Sequence, residues 1–277
     1  MNRYDRRPLP HLLEVGLKGA ITSSEANAFP FSVKAIATLP NLDVNVPVTL
    51  LVGENGSGKS TLLEAIAASA ELPSLGVSEI AVDNTLAKQR KLASALRLAW
   101  RPRSRQGFFL RAEDFFGHVR AKARDLARRI RELDELGGSP HVESNDGPGA
   151  LHIDEQEAER YIGHFDARSH GESFLDLFST RVHPRGLYLL DEPEAPLSPK
   201  RQLVLLRLIV RAAEEGAQFI IATHSPILLA CPSARIFTFD EPPIHHVFYD
   251  ELEHVTVMRN FLNDPEGHLR DLLAEEE

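Results

Sequence analysis

Three short apolar runs, each closed by a polar cluster, organise the hydrophobic pattern of the chain. Val46 to Val52 is apolar and β-branched, bounded by Pro47 and Gly53, and reads as a buried strand. Leu187 to Leu190 is a second such run and ends in Asp191-Glu192; Ala217 to Thr223 is a third and ends at His224. Helical spacing follows or separates them. Leu62, Leu63, Ile66 and Ala67 share one helix face, as do Phe174, Leu175, Leu177 and Phe178. Ser198-Pro199 is an N-cap followed by proline at the first helical position, and that helix runs to about Glu215 with Gly216 as its stop. Val119, Ala123, Leu126, Ile130 and Leu133 mark one amphipathic helix of about three heptads, too few for a sustained coiled coil. "GGSPHVESNDGPG" after it reads as a flexible loop. Beyond Asp240 the pattern predicts a strand in "HHVFY", a polar linker and a short helix at "LRDLLAEEE". Strands alternating with helices predict an α/β fold around a parallel sheet.

The turn after the first strand has a chemical signature. Gly53-Glu54-Asn55-Gly56-Ser57-Gly58-Lys59-Ser60 fits G-x-x-x-x-G-K-[ST], between a strand and a helix as that motif requires. Glycines let the backbone turn tightly with its N–H groups inward, and those donors and the helix N-terminus cradle phosphate oxygens. Lys59 can reach the β- and γ-phosphates, the Ser60 hydroxyl can ligate Mg²⁺, and Thr61 can add a phosphate contact.

The other two strands end in groups that complement a phosphate site. Asp191 stands where a nucleotide-binding α/β protein holds Mg²⁺, directly or through water. Glu192, one residue on, can orient and polarise an attacking water. His224 lies at the carboxyl edge of the predicted sheet, where ligands bind, and can sense the γ-phosphate or orient water. His245, His246 and His254 belong to no motif and read as solvated or packed.

Composition narrows the setting. The 277 residues are 43% hydrophobic and 26% charged, which suits a globular chain with a substantial core. Cys231 is the single cysteine, so no internal disulfide framework exists. No apolar run approaches the roughly 20 residues that cross a bilayer, and Glu14 and Lys18 break any signal-peptide core in the basic N-terminus. These features predict a cytoplasmic protein with no membrane segment of its own. The net charge of −9 is uneven: Lys88 to Arg131 holds fourteen Lys or Arg against three acids, a net of +11, leaving −20 for the rest. Such a basic middle is either a footprint for DNA or another polyanion or a solvated helical face.

GENGSGKST, RSHGES, LYLLDEPEAPLSP and ATHSP, in that order, resemble the head of an ABC-type ATPase, with the look of the SMC/RecF-like branch and its small stand-alone relatives. The likeness spans Val46 to Pro226. It implies a P-loop NTPase fold with a RecA-like parallel sheet, an antiparallel β portion and a helical insert. It implies one domain over 1–277, with a basic helical lobe inserted at about 86–165. It also implies ATP and Mg²⁺ as ligands and a homodimer that forms on ATP, in which each head closes the other's phosphate site. Arg168-Ser169-His170-Gly171-Glu172 occupies the place of the family's Leu-Ser-Gly-Gly-Gln signature, so Ser169, Gly171 and Glu172 would meet the partner's γ-phosphate. A helix cap is the plainer reading of that knot. A serine nucleophile is not supported, because Ser169 and Ser173 lack a G-x-S-x-G elbow. "EAPLSP" resembles the loop that crosses the dimer seam, with Pro-Leu-Ser in place of small-Leu-Asp. The family's glutamine after the strand in "GFFLRAEDFF" is absent; Glu113 is its substitute as a Mg²⁺ or water contact, with Arg111 as a phosphate or partner contact. Phe29 or Phe31 would stack on adenine, or belong to the core.

Three outputs fit such a head: a DNA-linked ATPase in repair or defence, the ATP-binding subunit of a membrane transporter, and a non-hydrolysing ATP-gated regulator. The first is favoured by the SMC-like signature and the basic segment.

Overall fold

The computed structural model describes residues 10–75, 87–104, 106–112 and 170–274. In chain order the first elements are β1 (Leu12–Leu17), the single-turn helices α1 (Ser23–Ala26) and α2 (Lys34–Ala37), β2 (Leu42–Asp43), β3 (Val48–Val52) and α3 (Lys59–Ala70). β4 (Ser74–Leu75), α4 (Ala87–Ala95), β5 (Leu96–Trp100) and β6 (Gly107–Arg111) follow. Then come α5 (His170–Arg181), β7 (Leu187–Asp191), α6 (Pro199–Glu214), β8 (Gln218–Ala222) and α7 (Pro226–Leu229). β9 (Arg235–Thr238), β10 (His245–Val247), a 3-10 turn (Tyr249–Glu251), α8 (Glu253–Asn263) and α9 (Pro265–Ala274) follow among the described residues.

Seven strands form one sheet in the order β10-β9-β3-β8-β7-β6-β4, parallel throughout except for β10. Each central strand is apolar on both sides because both faces are covered. Leu50, Leu110, Leu190 and Ile221 face α5, α6 and α7, packing with Phe174, Phe178, Leu205, Ile209 and Leu228. Leu51, Phe109, Leu189 and Ile220 face the other way, onto Leu62, Leu63 and Ile66 of α3. A second, antiparallel sheet, β2-β1-β5, packs on the α3 side through Leu12, Val15, Leu42 and Leu96. This is the P-loop NTPase fold with an added antiparallel portion that the motifs predict.

One polar side chain fastens the two sheets together. Gln218, fully buried at the start of β8, accepts the N–H groups of His11 and Leu12 at 3.0 and 2.8 Å. Its amide donates to Leu12 O and Val44 O, both at 2.8 Å. A carboxamide satisfies donors and acceptors at once, which no apolar side chain could do there.

Two sequence expectations change. The linker predicted after "HHVFY" is largely helical: α8 buries Val255 and leaves Val257, Met258 and Leu262 exposed, so its apolar positions do not read as one core-facing stripe. The polar knot is helical from the first residue described there: α5 is already formed at His170 and includes Gly171 and Glu172. The amphipathic helix predicted around Val119 to Leu133 lies outside the described residues.

Candidate functional site

Parallel strands deliver their carboxyl ends to one edge of the sheet, and the candidate residues gather there. β9, β3, β8, β7 and β6 are successive neighbours. They lead into Asp240, the glycine loop, His224, Asp191-Glu192 and Arg111 respectively.

The glycine loop turns as its composition demands. Gly53, Gly56 and Gly58 have φ of 149, 84 and 107°, in the region that favours glycine. At Gly58 a Cβ would also come within 3.0 Å of Val33, so the helix start packs directly on the segment before it. Glu54, Asn55 and Gly56 form the exposed crest, Ser57, Ser60 and Thr61 are half-buried, and Lys59 is only 4% exposed. Lys59 Nζ curls back to donate to Gly53 O at 2.5 Å and Glu54 O at 2.9 Å. Burial pushes its pKa below the usual lysine range, while Glu192, Asp240, Asp191 and Glu194 pull it back up. Below the loop, Asp240 Oδ1 accepts the Glu54 N–H at 2.6 Å.

Ser60 and Asp191 meet across 131 residues of sequence: Ser60 Oγ donates to Asp191 Oδ1 at 2.9 Å. An octahedral Mg²⁺ with bonds of roughly 2.0–2.1 Å sets neighbouring ligand oxygens about 2.9 Å apart, so the pair fits one edge of such a shell. The hydroxyl proton is already taken by Asp191, leaving the oxygen lone pairs for a cation. Among the described residues no three His, Cys, Asp or Glu side chains converge as a metal cage. The remaining ligands would have to be phosphate oxygens or water, as is usual for Mg²⁺. Asp191 is also tied by Arg111, whose Nε donates to Oδ2 at 3.0 Å, while Arg111 Nη2 bonds to Glu64.

Glu192 has φ of 48°, an uncommon conformation for a residue with a side chain. Its N–H is anchored to Ala222 O at 2.9 Å, so β8 holds the turned backbone in place. Its Oε1 lies 3.9 Å from His224 Nε2, beyond hydrogen-bond range, and both side chains are 39% exposed. Glu194 accepts the His224 and Ser225 N–H groups. Its carboxyl pKa is raised, chiefly by burial, against the hydrogen bonds that lower it. His254, on α8, is packed: its Nε2 is buried, and its pKa is lowered by burial and by His224. Cys231 is buried and its thiol is pushed up to about 11, which leaves it inert as a nucleophile at neutral pH.

Gly171, on α5, packs against the segment after β7. A Cβ there would lie 2.9 Å from Arg201 Cδ, 3.2 Å from Leu197 Cδ2 and 3.3 Å from Pro196 O. Glu172 lies on the same helix. Ser169 and Glu113 lie outside the described residues. Phe31 is 3% exposed in the core and is not available to a base, whereas Phe29 is 40% exposed. Sequence reasoning missed Glu64, Asp240, Glu194 and Gln218. Glu64 could have been found, since it stands one turn after Ser60 on the same helix face.

Comparisons with known proteins identify the family. A family model described as "AAA domain, putative AbiEii toxin, Type IV TA system" matches residues 173–230, and an "AAA domain" model matches 33–70. These intervals contain Asp191, Glu192 and His224, and the glycine loop, respectively. The hemin import ATP-binding protein HmuV of Pseudomonas fluorescens is 30% identical over 206 residues, covering 69% of this chain and 71% of that protein. The chain belongs to the ABC-type ATPases. It is an ABC-type ATP-binding protein. A second relative, the vitamin B12 import ATP-binding protein BtuD of Vibrio atlanticus, is 27% identical over 184 residues, covering 64% of this ATPase and 68% of that protein. Among solved structures, the SMC head domain from Thermotoga maritima aligns with a TM-score of 0.40 and 18% identity, over 87% of this chain and 98% of that one. No helix among the described residues of the ATPase is long and apolar enough to cross a membrane.

Proposed function

We propose that this ABC-type ATPase binds ATP with Mg²⁺ in the glycine loop, dimerises on ATP and hydrolyses it, acting as a cytoplasmic molecular switch. The observation that carries the reading is the gathering of Lys59, Ser60, Asp191, Glu192 and His224 at one sheet edge. Backbone N–H groups of residues 53–61 hold the phosphates. Lys59 leaves its two loop carbonyls for the β- and γ-phosphate oxygens, a charge-assisted exchange. Ser60 and Asp191 hold the metal; Mg²⁺, when bound, neutralises charge on the phosphate oxygens. Glu192 accepts a hydrogen bond from water and aims it at the γ-phosphate, and His224 senses that phosphate. In the closed dimer Ser169, Gly171 and Glu172 meet the nucleotide of the partner. Residues 1–277 then form one ATPase domain; of the basic helical lobe expected at about 86–165, β5 and β6 belong instead to the two sheets, and Glu113 adds a metal or water contact.

The test is the oligomeric state of Glu192→Gln with ATP and Mg²⁺, by light scattering, alone and with Ser169→Arg. A dimer abolished by Ser169→Arg supports the trans site. A monomer with ATP bound removes it. Turnover unchanged in Glu192→Gln would instead mean that the protein gates without using Glu192 for hydrolysis.

For the output we infer a DNA-linked switch, because fourteen of the chain's basic residues fall between Lys88 and Arg131. DNA binding that weakens with rising salt supports this, and no binding at low salt refutes it. A transporter subunit is the second reading, favoured by relatives named as import ATP-binding proteins. Copurification with a membrane protein would select it.

A further inference from the structure

Arg111 ends β6 directly opposite Asp191 on β7. Among the described residues it bridges two acids: Nε donates to Asp191 Oδ2 at 3.0 Å and Nη2 bonds to Glu64 Oε1. The acid side chains are 4% and 9% exposed, and that of Arg111 29%. Buried carboxylates without a counter-charge are costly, and the guanidinium supplies that counter-charge to both. The group Glu64, Arg111 and Asp191 carries a net charge of −1. Without Arg111 it would carry −2, beside a hydroxyl already placed to ligate a cation.

That difference decides what kind of ligand the site takes. Two buried carboxylates and a hydroxyl would attract a free divalent cation. One net charge, with Asp191 Oδ2 already engaged and only Oδ1 and Ser60 Oγ on offer, holds Mg²⁺ poorly unless phosphate oxygens complete its shell. We propose that Arg111 is a specificity-determining positioning residue: paired with Glu64 and Asp191, it makes the site take the metal–nucleotide complex and reject the free cation. This rests on the ATP·Mg²⁺ reading above. The sequence supports an economical design, since Glu64 lies one helical turn after Ser60 and so supplies the counter-ion from the same helix that supplies the ligand.

The test uses Mn²⁺ as a spectroscopic probe, titrated into the nucleotide-free, full-length protein and read by electron paramagnetic resonance. Arg111→Gln should bind free Mn²⁺ about tenfold or more tightly than the wild type. The double variant Arg111→Gln/Glu64→Gln restores the net charge of −1 and should return to near wild-type affinity. Glu64→Gln alone should bind free Mn²⁺ more weakly than wild type, and Arg111→Lys, which keeps the charge, should match it. A folded Arg111→Gln protein with wild-type Mn²⁺ affinity overturns the proposal, as does a double variant as tight as the single one. If Arg111→Gln does not fold, Glu64→Gln decides: affinity no lower than wild type overturns it. Calorimetry of wild type with ATP and Mg²⁺ reads the underlying function separately. Absence of ATP binding there strikes the nucleotide reading, whereas the Mn²⁺ series still reports on Arg111.

Discussion

Glu194 Oε1 accepts the main-chain N–H of His224 at 2.7 Å, so the turn after β7 holds the turn after β8. A second link runs beside it: Ser225 Oγ donates to Gln202 Oε1 at 2.7 Å, and Gln202 Nε2 donates to Leu197 O at 3.0 Å. The segment from Glu194 to Pro199, which the family resemblance assigns to the dimer seam, therefore grips the histidine turn at two points. Glu194→Ala should change ATP binding less than loss of the Asp240 charge does, since Glu194 makes no loop contact and acts most weakly of the four carboxylates on Lys59. Turnover should fall by roughly tenfold to a hundredfold, as expected for a misplaced group near the chemistry. Glu194→Gln keeps the acceptor oxygen and should retain most of the turnover. Steady-state kinetics of the two variants checks the contrast.

Glu194 also sets a pH dependence. Its folded pKa is raised above the usual 4.5, mainly by burial, and its Oε2 has no hydrogen-bond partner. A raised carboxyl pKa means the folded state binds the proton more tightly than the unfolded state. The stability it brings is fully present below about 4.5 and is lost as pH rises through the folded value. Glu194→Gln removes this loss. The gap in melting temperature over the wild type should open as pH rises through that window and level off above it, closing again on acidification. Thermal scans from pH 4 to 8 would show the trend, and a constant gap would refute it.

Local order made the phosphate site legible in the sequence. The loop, its strand and its helix are contiguous, and the positive φ values fall on glycines that the motif already contained. Asp191, Glu192 and His224 were legible because each follows an apolar strand, and parallel strands bring such ends together. What stayed hidden depends on strand order, which no local pattern encodes. Asp240 matters because β9 lies beside β3, and Arg111 reaches Asp191 because β6 lies beside β7. Gln218 looked like an ordinary strand residue; only the docking of β1 against the parallel sheet gives its amide four partners. α8 was missed although Val255, Met258 and Leu262 recur at helical spacing, because the polar residues between them were read as a linker.

The clamp at Gln218 predicts a large loss of stability from a small change. Gln218→Leu keeps comparable bulk but strands two N–H groups and two carbonyls in a fully buried place. Unfolding in urea should show a loss of about 3–5 kcal/mol, the range for a broken buried polar network. Gln218→Glu keeps the acceptor for His11 and Leu12 but turns a carboxylate oxygen toward Leu12 O and Val44 O. It should be destabilised at neutral pH and partly recover on acidification, when a proton restores a donor. A loss below about 1 kcal/mol for Gln218→Leu would show that the N-terminal sheet docks by apolar contact alone.

Asp240 holds the glycine loop from beneath, and its charge and its hydrogen bond act in opposite directions. The bond from Glu54 N–H to Oδ1, at 2.6 Å, fixes the loop backbone, and Gly53 must lack a Cβ because Asp240 Oδ1 and Phe239 Cβ would lie 3.0 Å from it. The same carboxylate is one of four that attract the Lys59 ammonium, so it competes with a phosphate for that cation. Asp240→Asn preserves an acceptor and removes the charge; it should tighten ATP by roughly twofold to tenfold, more at low salt. Asp240→Ala removes the charge and frees the loop as well, so its affinity should fall below that of Asp240→Asn. Titration of both variants with a fluorescent ATP analogue at two salt concentrations separates the two effects. Equal affinity in Asn and Ala variants would mean that Asp240 acts on the nucleotide through charge alone and that the loop keeps its shape without it.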